Sequence, residues 1–118
     1  MSTLSSQLGG KAVAVTVAIP AAVDTVILSP LDVQRFDRFS LYLVNEGQNI
    51  IEQCKLETAP TTDGPWHVVD HNIGVPNIAA GESVVDSYAD KSLKYIRVTA
   101  SSLLGSAATI YLSAGGLE

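Results

Sequence analysis

Charged side chains are scarce in this 118-residue chain, at 16% of residues where an average soluble domain has roughly 25%. The seven Lys and Arg residues are scattered singly and are outnumbered by twelve Asp and Glu residues, so the net charge is −5. Nucleic acids and anionic membranes are bound through clustered basic side chains, which concentrate positive potential on one surface. We therefore expect neither nucleic acid nor a membrane as a partner.

Metal-ligating side chains are also few, since the chain has one cysteine and two histidines. Cys54 alone can form neither an internal disulfide nor a cysteine-based zinc site. His67 and His71 are four positions apart, roughly 13 Å in an extended strand at ~3.3 Å per residue, which is too far to share one ion. A calcium site on Asp63 and Asp70 is the alternative, but the Asp-x-Asp-x-Asp-Gly loop pattern is missing.

Motifs for catalysis are missing from the sequence as well. No serine lies in a Gly-x-Ser-x-Gly elbow, and no Gly-rich segment joins a strand pattern to a helix pattern, as a phosphate loop requires. Cys54 lies at an inward strand position, where we expect a buried structural thiol rather than a reactive one. We therefore expect a protein that is not an enzyme and has no catalytic, metal or cofactor site.

No apolar run is long enough to span a membrane without interruption. The segment Ala12–Leu31 is largely apolar over about 20 residues, the length of a membrane span. However, Pro20, Asp24 and Pro30 divide this segment, and its valines alternate as they do in β-strands. The segment is therefore predicted to form strands rather than a transmembrane helix.

The first ten residues, MSTLSSQLGG, lack the basic and apolar regions of a signal peptide. We expect them to form a flexible arm at 1–10, followed by one β-sandwich domain at 11–118. The C-terminal Leu117-Glu118 is typical of a cloning remnant, so no function is assigned to it.

Alternating apolar and polar residues dominate the rest of the chain, and no helical period is present. A period of two indicates strands in which one face is buried, and Pro, Gly, Asn and Asp mark the turns. This pattern predicts an all-β fold, an antiparallel β-sandwich of about eight short strands, either jelly-roll or immunoglobulin-like. The predicted strands are Lys11–Ile19, Asp24–Ser29, Arg35–Asn45, Ile50–Thr58, Trp66–Asp70, Glu82–Asp86, Leu93–Ala100 and Ser106–Ser113.

The segment from Ile50 to Asp70 is predicted to be a β-hairpin. Its turn contains two prolines and the pair Asp63-Gly64, residues that preset φ or permit positive φ. Trp66, the only tryptophan, follows the turn directly. We expect its indole to close one end of the core, which would bury about 150–250 Å².

Tyrosines are the other aromatic feature of the sequence. Tyr42, Tyr95 and Tyr111 alternate with apolar residues, and the alternation predicts that their rings point outward. Together with Trp66 and Tyr88 they could form a platform on which a sugar stacks; the alternative is that the rings serve the core or an interface.

Two segments resemble a pattern that recurs in bacteriophage virion proteins. In the first, CKLETAPTTDGPWHVVD (Cys54–Asp70), a strand ending in Leu-Glu leads into an Asp-Gly-x-Trp turn. In the second, LKYIRVTASSLLGSAATIYLSAGG (Leu93–Gly116), a Tyr-Ile-Arg-Val strand precedes a closing strand. The pattern is found in small β-sandwich accessory proteins of phage heads and tails, including decoration proteins, and also in carbohydrate-binding and adhesin-like modules. The matching positions form the framework of the pattern: Asp63, Gly64, Trp66, Tyr95, Ile96 and Arg97.

The resemblance implies a capsid decoration (cement) protein that binds the assembled major capsid protein and stabilises the head. Such a protein would be made in the host cytoplasm, would lie on the outer surface of the virion and would need no cofactor. The low charge and the small outward residues of the first and last strands lead us to expect a homo-oligomer, a trimer. The alternative is a carbohydrate-binding or tail-associated recognition module. The side chains expected at an interface are Tyr42, Tyr95, Arg97 and Tyr111.

Overall fold

The computed structural model describes residues 11–89 and 93–115, and within these ranges every regular element is a β-strand. The prediction of an all-β fold with eight antiparallel strands in two sheets is confirmed. No helix in these ranges could cross a membrane. The arm predicted at 1–10 lies outside the described residues, as does Leu117-Glu118. The strands are β1 (Lys11–Ile19), β2 (Thr25–Asp32), β3 (Arg38–Asn45), β4 (Gln53–Ala59), β5 (His67–Asp70), β6 (Ser83–Ala89), β7 (Tyr95–Ser101) and β8 (Ser106–Gly115).

The strand pairing resembles one long hairpin that has been rolled up. The first half of the chain pairs with the second half in reverse order: β1 with β8, β2 with β7, β3 with β6 and β4 with β5, all antiparallel. Two further pairings, β3 with β8 and β4 with β7, complete the sheets β1-β8-β3-β6 and β2-β7-β4-β5. An eight-stranded double sheet with this wrapping is a jelly roll, which decides between the two predicted topologies.

The core lies between the two sheets and contains the residues that the alternation predicts to face inward. Each of these positions is at most 4% exposed. Truncating one of the buried leucines to alanine would cost about 2–5 kcal/mol, because the close-packed neighbours cannot fill the resulting cavity. The predicted positions that are buried are Phe39, Leu41, Leu43, Cys54, Leu56, Ile96, Val98, Ala100, Ala108, Ile110 and Leu112.

Strand β2 corrects one predicted boundary. We expected Pro30 to end this strand, but β2 continues through it to Asp32. Its pairing with β7 shifts register between Leu28 and Leu31, and β2 is an edge strand. A proline is tolerated at such a place because its missing N–H leaves no ladder hydrogen bond unmade.

Strand β6 corrects a second boundary. We predicted that this strand ends at Asp86, but Ser87, Tyr88 and Ala89 continue it and pair with Ser40, Phe39 and Arg38 of β3. Pairing with β3 therefore extends a strand whose own sequence is polar at this point.

Asn45 ends β3, as it ends the predicted strand, and it is fully buried. Its amide nitrogen donates to the carbonyl oxygens of Asn49 and Ile78, at 2.8 and 2.9 Å. Its amide oxygen accepts from the Gly47 N–H and the Ser106 hydroxyl, at 3.1 and 2.7 Å. Since a buried amide must be hydrogen-bonded to be tolerated, these bonds fix the β3–β4 loop against β8.

Candidate binding surfaces

The solvent face of the sheet β1-β8-β3-β6 carries no charged side chain over three successive rows. In each row one residue from each strand lies beside its register partners. We call this surface the tyrosine face. Its rows are Ala12, Ser113, Ser40 and Ser87; Ala14, Tyr111, Tyr42 and Val85; and Thr16, Thr109, Val44 and Ser83.

Tyr42 and Tyr111 are direct register partners in the middle row of the tyrosine face. They are 47% and 42% exposed, and Val85 beside them is 51% exposed. The hydroxyls in the flanking rows bond to one another: Ser40 with Ser87 at 2.9 Å and Thr16 with Thr109 at 2.8 Å. The polar atoms around the two rings are therefore largely paired, while the rings themselves face solvent.

The solvent face of the other sheet, β2-β7-β4-β5, is organised around paired charges, and we call it the charged face. The guanidinium of Arg97 donates to the Glu57 carboxylate at 2.7 Å and lies 4.4 Å from the centre of the Trp66 ring. The side chains of Arg97 and Glu57 are only 26% and 10% exposed. Lys55 of β4 pairs at 3.4 Å with Asp24, which immediately precedes β2.

The structure places the predicted aromatic residues in three different environments. Trp66 is partly exposed, and its ring lies beside the Arg97 guanidinium on the charged face, where it makes a cation–π contact. Tyr88 is 6% exposed and stacks on Phe39 in the core, with 5.1 Å between the ring centres. Tyr95 belongs to β7 in the other sheet. The platform of five rings considered above is therefore wrong: Tyr42 and Tyr111 share the tyrosine face, whereas Trp66 and Tyr95 belong to the side of the other sheet.

The turn that carries Asp63 and Gly64 is held by local hydrogen bonds. The Thr61 hydroxyl donates to the Gly64 carbonyl at 2.8 Å and accepts from the Asp63 N–H at 3.3 Å. Gly64 has a φ of 101°, a conformation that L-residues with a side chain rarely adopt. Asp63 and Gly64 are thus placed in the predicted hairpin turn between β4 and β5, where they shape the backbone.

One end of the sandwich exposes large aliphatic side chains that our reading of the sequence missed. Leu103 and Leu104, in the β7–β8 loop, are 66% and 72% exposed, and Val23 and Ile50 in neighbouring loops are 49% and 45% exposed. We call these four residues the apolar loop end. The sequence feature that could have indicated this exposure is the pair of adjacent leucines between two predicted strands, flanked by serines and a glycine.

Hydrogen bonds from side chains hold the leucines of the apolar loop end outward. The Leu103 N–H donates to the Glu52 carboxylate at 2.8 Å, and the Asn49 amide donates to the Gly105 carbonyl at 2.7 Å. The Ser102 hydroxyl donates to the Ile50 carbonyl at 2.6 Å, which ties two of the loops together. The leucines are therefore presented on a fixed backbone, which lowers the entropic cost of placing them in a partner's pocket.

The buried Cys54 thiol and Tyr88 phenol are held in their neutral forms, because their pKa values are raised. Burial, followed by the charge of Asp70, raises the pKa of the Cys54 thiol above its ordinary value of 9.0. Burial and a hydrogen bond to Asp70 raise the pKa of Tyr88, whose hydroxyl donates to that carboxylate at 2.8 Å. Over residues 11–89 and 93–115, no three His, Cys, Asp or Glu side chains are grouped as metal ligands.

No protein-family model matches this sequence, and no curated protein sequence is similar to it. Solved structures share its fold. The PBSX exported protein XepA matches with a TM-score of 0.68 at 16% identity, over 100% of this chain and 40% of that chain. A structure of Bacillus endospore appendages, described as disulfide-linked pili, matches with a TM-score of 0.58 at 15% identity, over 92% of this chain and 88% of that chain. The SPBc2 prophage-derived protein YomS matches with a TM-score of 0.51 at 7% identity, over 89% of this chain and 96% of that chain. At these identities the likeness establishes the fold alone.

Proposed function

We propose that this chain is a structural protein of a bacteriophage virion, a decoration protein that binds the assembled major capsid protein and stabilises the head. It acts by occupying a surface on the outside of the shell, without catalysis, metal or cofactor. One solved structure with this fold, that of YomS, is of a prophage-derived protein, and its origin supports the proposal.

The observation that carries the proposal is the apolar loop end. Leu103 and Leu104 are the most exposed large hydrophobic residues in the described chain, at 66% and 72%. Burying a leucine side chain in a partner contributes about 1.5–3 kcal/mol, and a fixed backbone lets most of that gain appear as affinity. On a shell with many equivalent sites, linked copies add avidity of roughly 10²–10⁴-fold. The two leucines of each copy would therefore act together with this avidity and with the surrounding contact surface.

We propose that the protein assembles as a trimer, which would supply the linked copies. Strand β1 supports this. It pairs with β8 on one side only within the described residues, so its other edge has unpaired backbone groups. Val15 of β1 is on the same side of the sheet as the buried Ile110, yet it is 37% exposed because the opposite sheet does not fully cover this edge. Unpaired, apolar edges are where strands of separate chains join.

Light scattering at micromolar concentration should give three times the mass of one chain, and a mass of 12.4 kDa would contradict assembly before binding.

Co-sedimentation with mature phage shells in EDTA tests the proposed function. The wild-type protein should sediment with the shells, since no metal takes part. The double variant Leu103→Ser/Leu104→Ser should bind about 10²-fold more weakly, because both leucine contacts are lost. The matched control is Val68→Ser, which removes a 38% exposed aliphatic side chain from the charged face and should leave binding unchanged. Failure of the wild-type protein to sediment, or equal binding by the double variant, would reject the proposal.

A further inference from the structure

The tyrosine face differs from an ordinary protein surface in having no ionic group over three full rows. Among the described residues, charged side chains lie at its borders: Arg38 is beyond the serine row, and Glu46 is beyond the threonine row, where its carboxylate accepts from Thr109 at 2.8 Å. The surface between them is made of hydroxyl groups, small aliphatic side chains and two aromatic rings. Such a surface best matches an uncharged molecule that offers both hydroxyl and C–H groups.

The two rings are available to such a molecule. Within the described residues, neither phenol hydroxyl takes part in a hydrogen bond, and the rings do not stack on one another. A shallow depression of about 660 Å³ lies against them, within the range of roughly 300–1,000 Å³ that is typical of small-molecule sites. It is lined by Tyr42, Val44, Ser83, Val84, Val85 and Tyr111.

We propose that the tyrosine face binds a neutral glycan, whose sugar rings stack on Tyr42 and Tyr111. A pyranose ring presents one face of C–H groups and a rim of hydroxyls, which matches aromatic rings bordered by Ser83 and the Ser40–Ser87 pair. Because Tyr42 and Tyr111 are direct cross-strand partners, their rings form a strip that accommodates successive sugars of one chain. This site is separate from the apolar loop end and goes beyond the function proposed above.

Other occupants fit this surface less well. Single-stranded nucleic acid also stacks on aromatic rings, but it requires a cationic groove, and the net charge of this chain is −5. A second copy of the chain would need to cover about 800 Å² per partner in a stable interface. Four strands at ~4.8 Å and three rows at ~6.7 Å give an uncharged patch on the order of only 400 Å². That area suits a short stretch of polysaccharide.

Affinity electrophoresis through native gels tests the proposal. The gels contain dextran, mannan or hydroxyethyl cellulose as neutral polysaccharides, or polygalacturonate as an acidic one. At least one neutral gel should retard the wild-type protein, and polygalacturonate should not. In that gel, Tyr42→Ala/Tyr111→Ala should weaken binding about tenfold or more. Tyr42→Phe/Tyr111→Phe keeps the stacking surface and should stay within about threefold of the wild type.

Two controls separate this site from the rest of the molecule. Tyr95→Ala removes a tyrosine from the opposite sheet and should leave retardation unchanged, as should Leu103→Ser/Leu104→Ser. The proposal is overturned if no neutral gel retards the wild type, if the double alanine variant is retarded equally, or if only polygalacturonate retards it. It is also overturned if light scattering shows self-association that the double alanine variant abolishes, because the face would then belong to a second copy of the chain.

Discussion

The two solvent faces of the sandwich are built from the same kind of strand but use their side chains in opposite ways. On the charged face, the Arg97 guanidinium is held between a carboxylate at 2.7 Å and the Trp66 ring at 4.4 Å. On the tyrosine face, Tyr42 and Tyr111 are nearly half exposed and touch no ionic group. The comparison suggests that the charged face serves stability, since its strong interactions are satisfied within the chain, while the tyrosine face is left free to bind.

Of the substitutions on the two solvent faces, that of Arg97 should have the largest effect on folding. Arg97→Met keeps an unbranched side chain over Trp66 but leaves the Glu57 carboxylate, 10% exposed, without its cation. An unpaired buried charge is costly, and the partial exposure of Arg97 places the loss of unfolding free energy at about 2–4 kcal/mol. Urea denaturation measures this loss. The double variant Arg97→Met/Glu57→Met should recover much of it, because no charge is then left buried. An unfolding free energy of Arg97→Met within about 0.5 kcal/mol of the wild-type value would show that the charged face does not stabilise the fold in this way.

Replacing Trp66 should have the next largest effect. Trp66→Ala removes a partly exposed ring and its contact with the Arg97 guanidinium. We expect a loss of about 1–3 kcal/mol, from a cation–π contact of about 0.5–2 kcal/mol and some buried area. A loss of about 3–5 kcal/mol, as for a fully buried aromatic ring, would instead restore the core-closing role that the sequence suggested. The measurement is again urea denaturation, with Trp66→Phe as the variant that keeps an aromatic face.

The ion pair between Lys55 and Asp24 should contribute little. The two groups are 3.4 Å apart, but the Asp24 side chain is 55% exposed, so water and salt screen their attraction. Lys55→Met should change the unfolding free energy by less than about 1 kcal/mol, and the difference should shrink as NaCl is raised. A larger, salt-independent loss would show that paired charges stabilise this sheet even where they are exposed.

The tyrosine face should tolerate substitution best. Tyr42→Ala and Tyr111→Ala each lose at most a cross-strand contact, worth about 0.2–1 kcal/mol. Thermal melts of the two variants should therefore remain close to the wild-type melt. A loss as large as that of Arg97→Met would mean that the rings stabilise the sheet, and the contrast between the faces would disappear.

Much of the fold could be predicted because strands with one buried face leave a period of two in the sequence. Leu41, Leu43, Val98 and Ile110 are buried as that period requires, and β1 begins and ends where its alternation does. The jelly-roll wrapping could not be predicted, since the same alternation suits any antiparallel partner. The continuation of β2 through Pro30 could not be predicted either. A proline is tolerated there because β2 is an edge strand with a register shift, and both features depend on which strand pairs with it.

The candidate surfaces were predicted only in part, for a related reason. Alternation indicates that Tyr42, Tyr95 and Tyr111 point outward, but only the sheet order shows that Tyr95 lies on a different face. Trp66 was expected to close one end of the core because it directly follows the turn, whereas its contact with Arg97 of β7, a residue distant in sequence, could not be predicted. Leu103 and Leu104 were assigned correctly to a turn, yet their exposure follows from hydrogen bonds made by Asn49 and Glu52.

The claim that binding is done by exposed, uncharged side chains is tested most directly by hydroxyl-radical footprinting, which reads the solvent access of each side chain. The protein is labelled alone, on mature shells, and with the polysaccharide that retards it. On shells, Leu103 and Leu104 should be protected while Tyr42 and Tyr111 remain reactive; with polysaccharide, the pattern should reverse. Protection centred on Trp66 and its neighbours in either complex, with the leucines and tyrosines unchanged, would contradict the account.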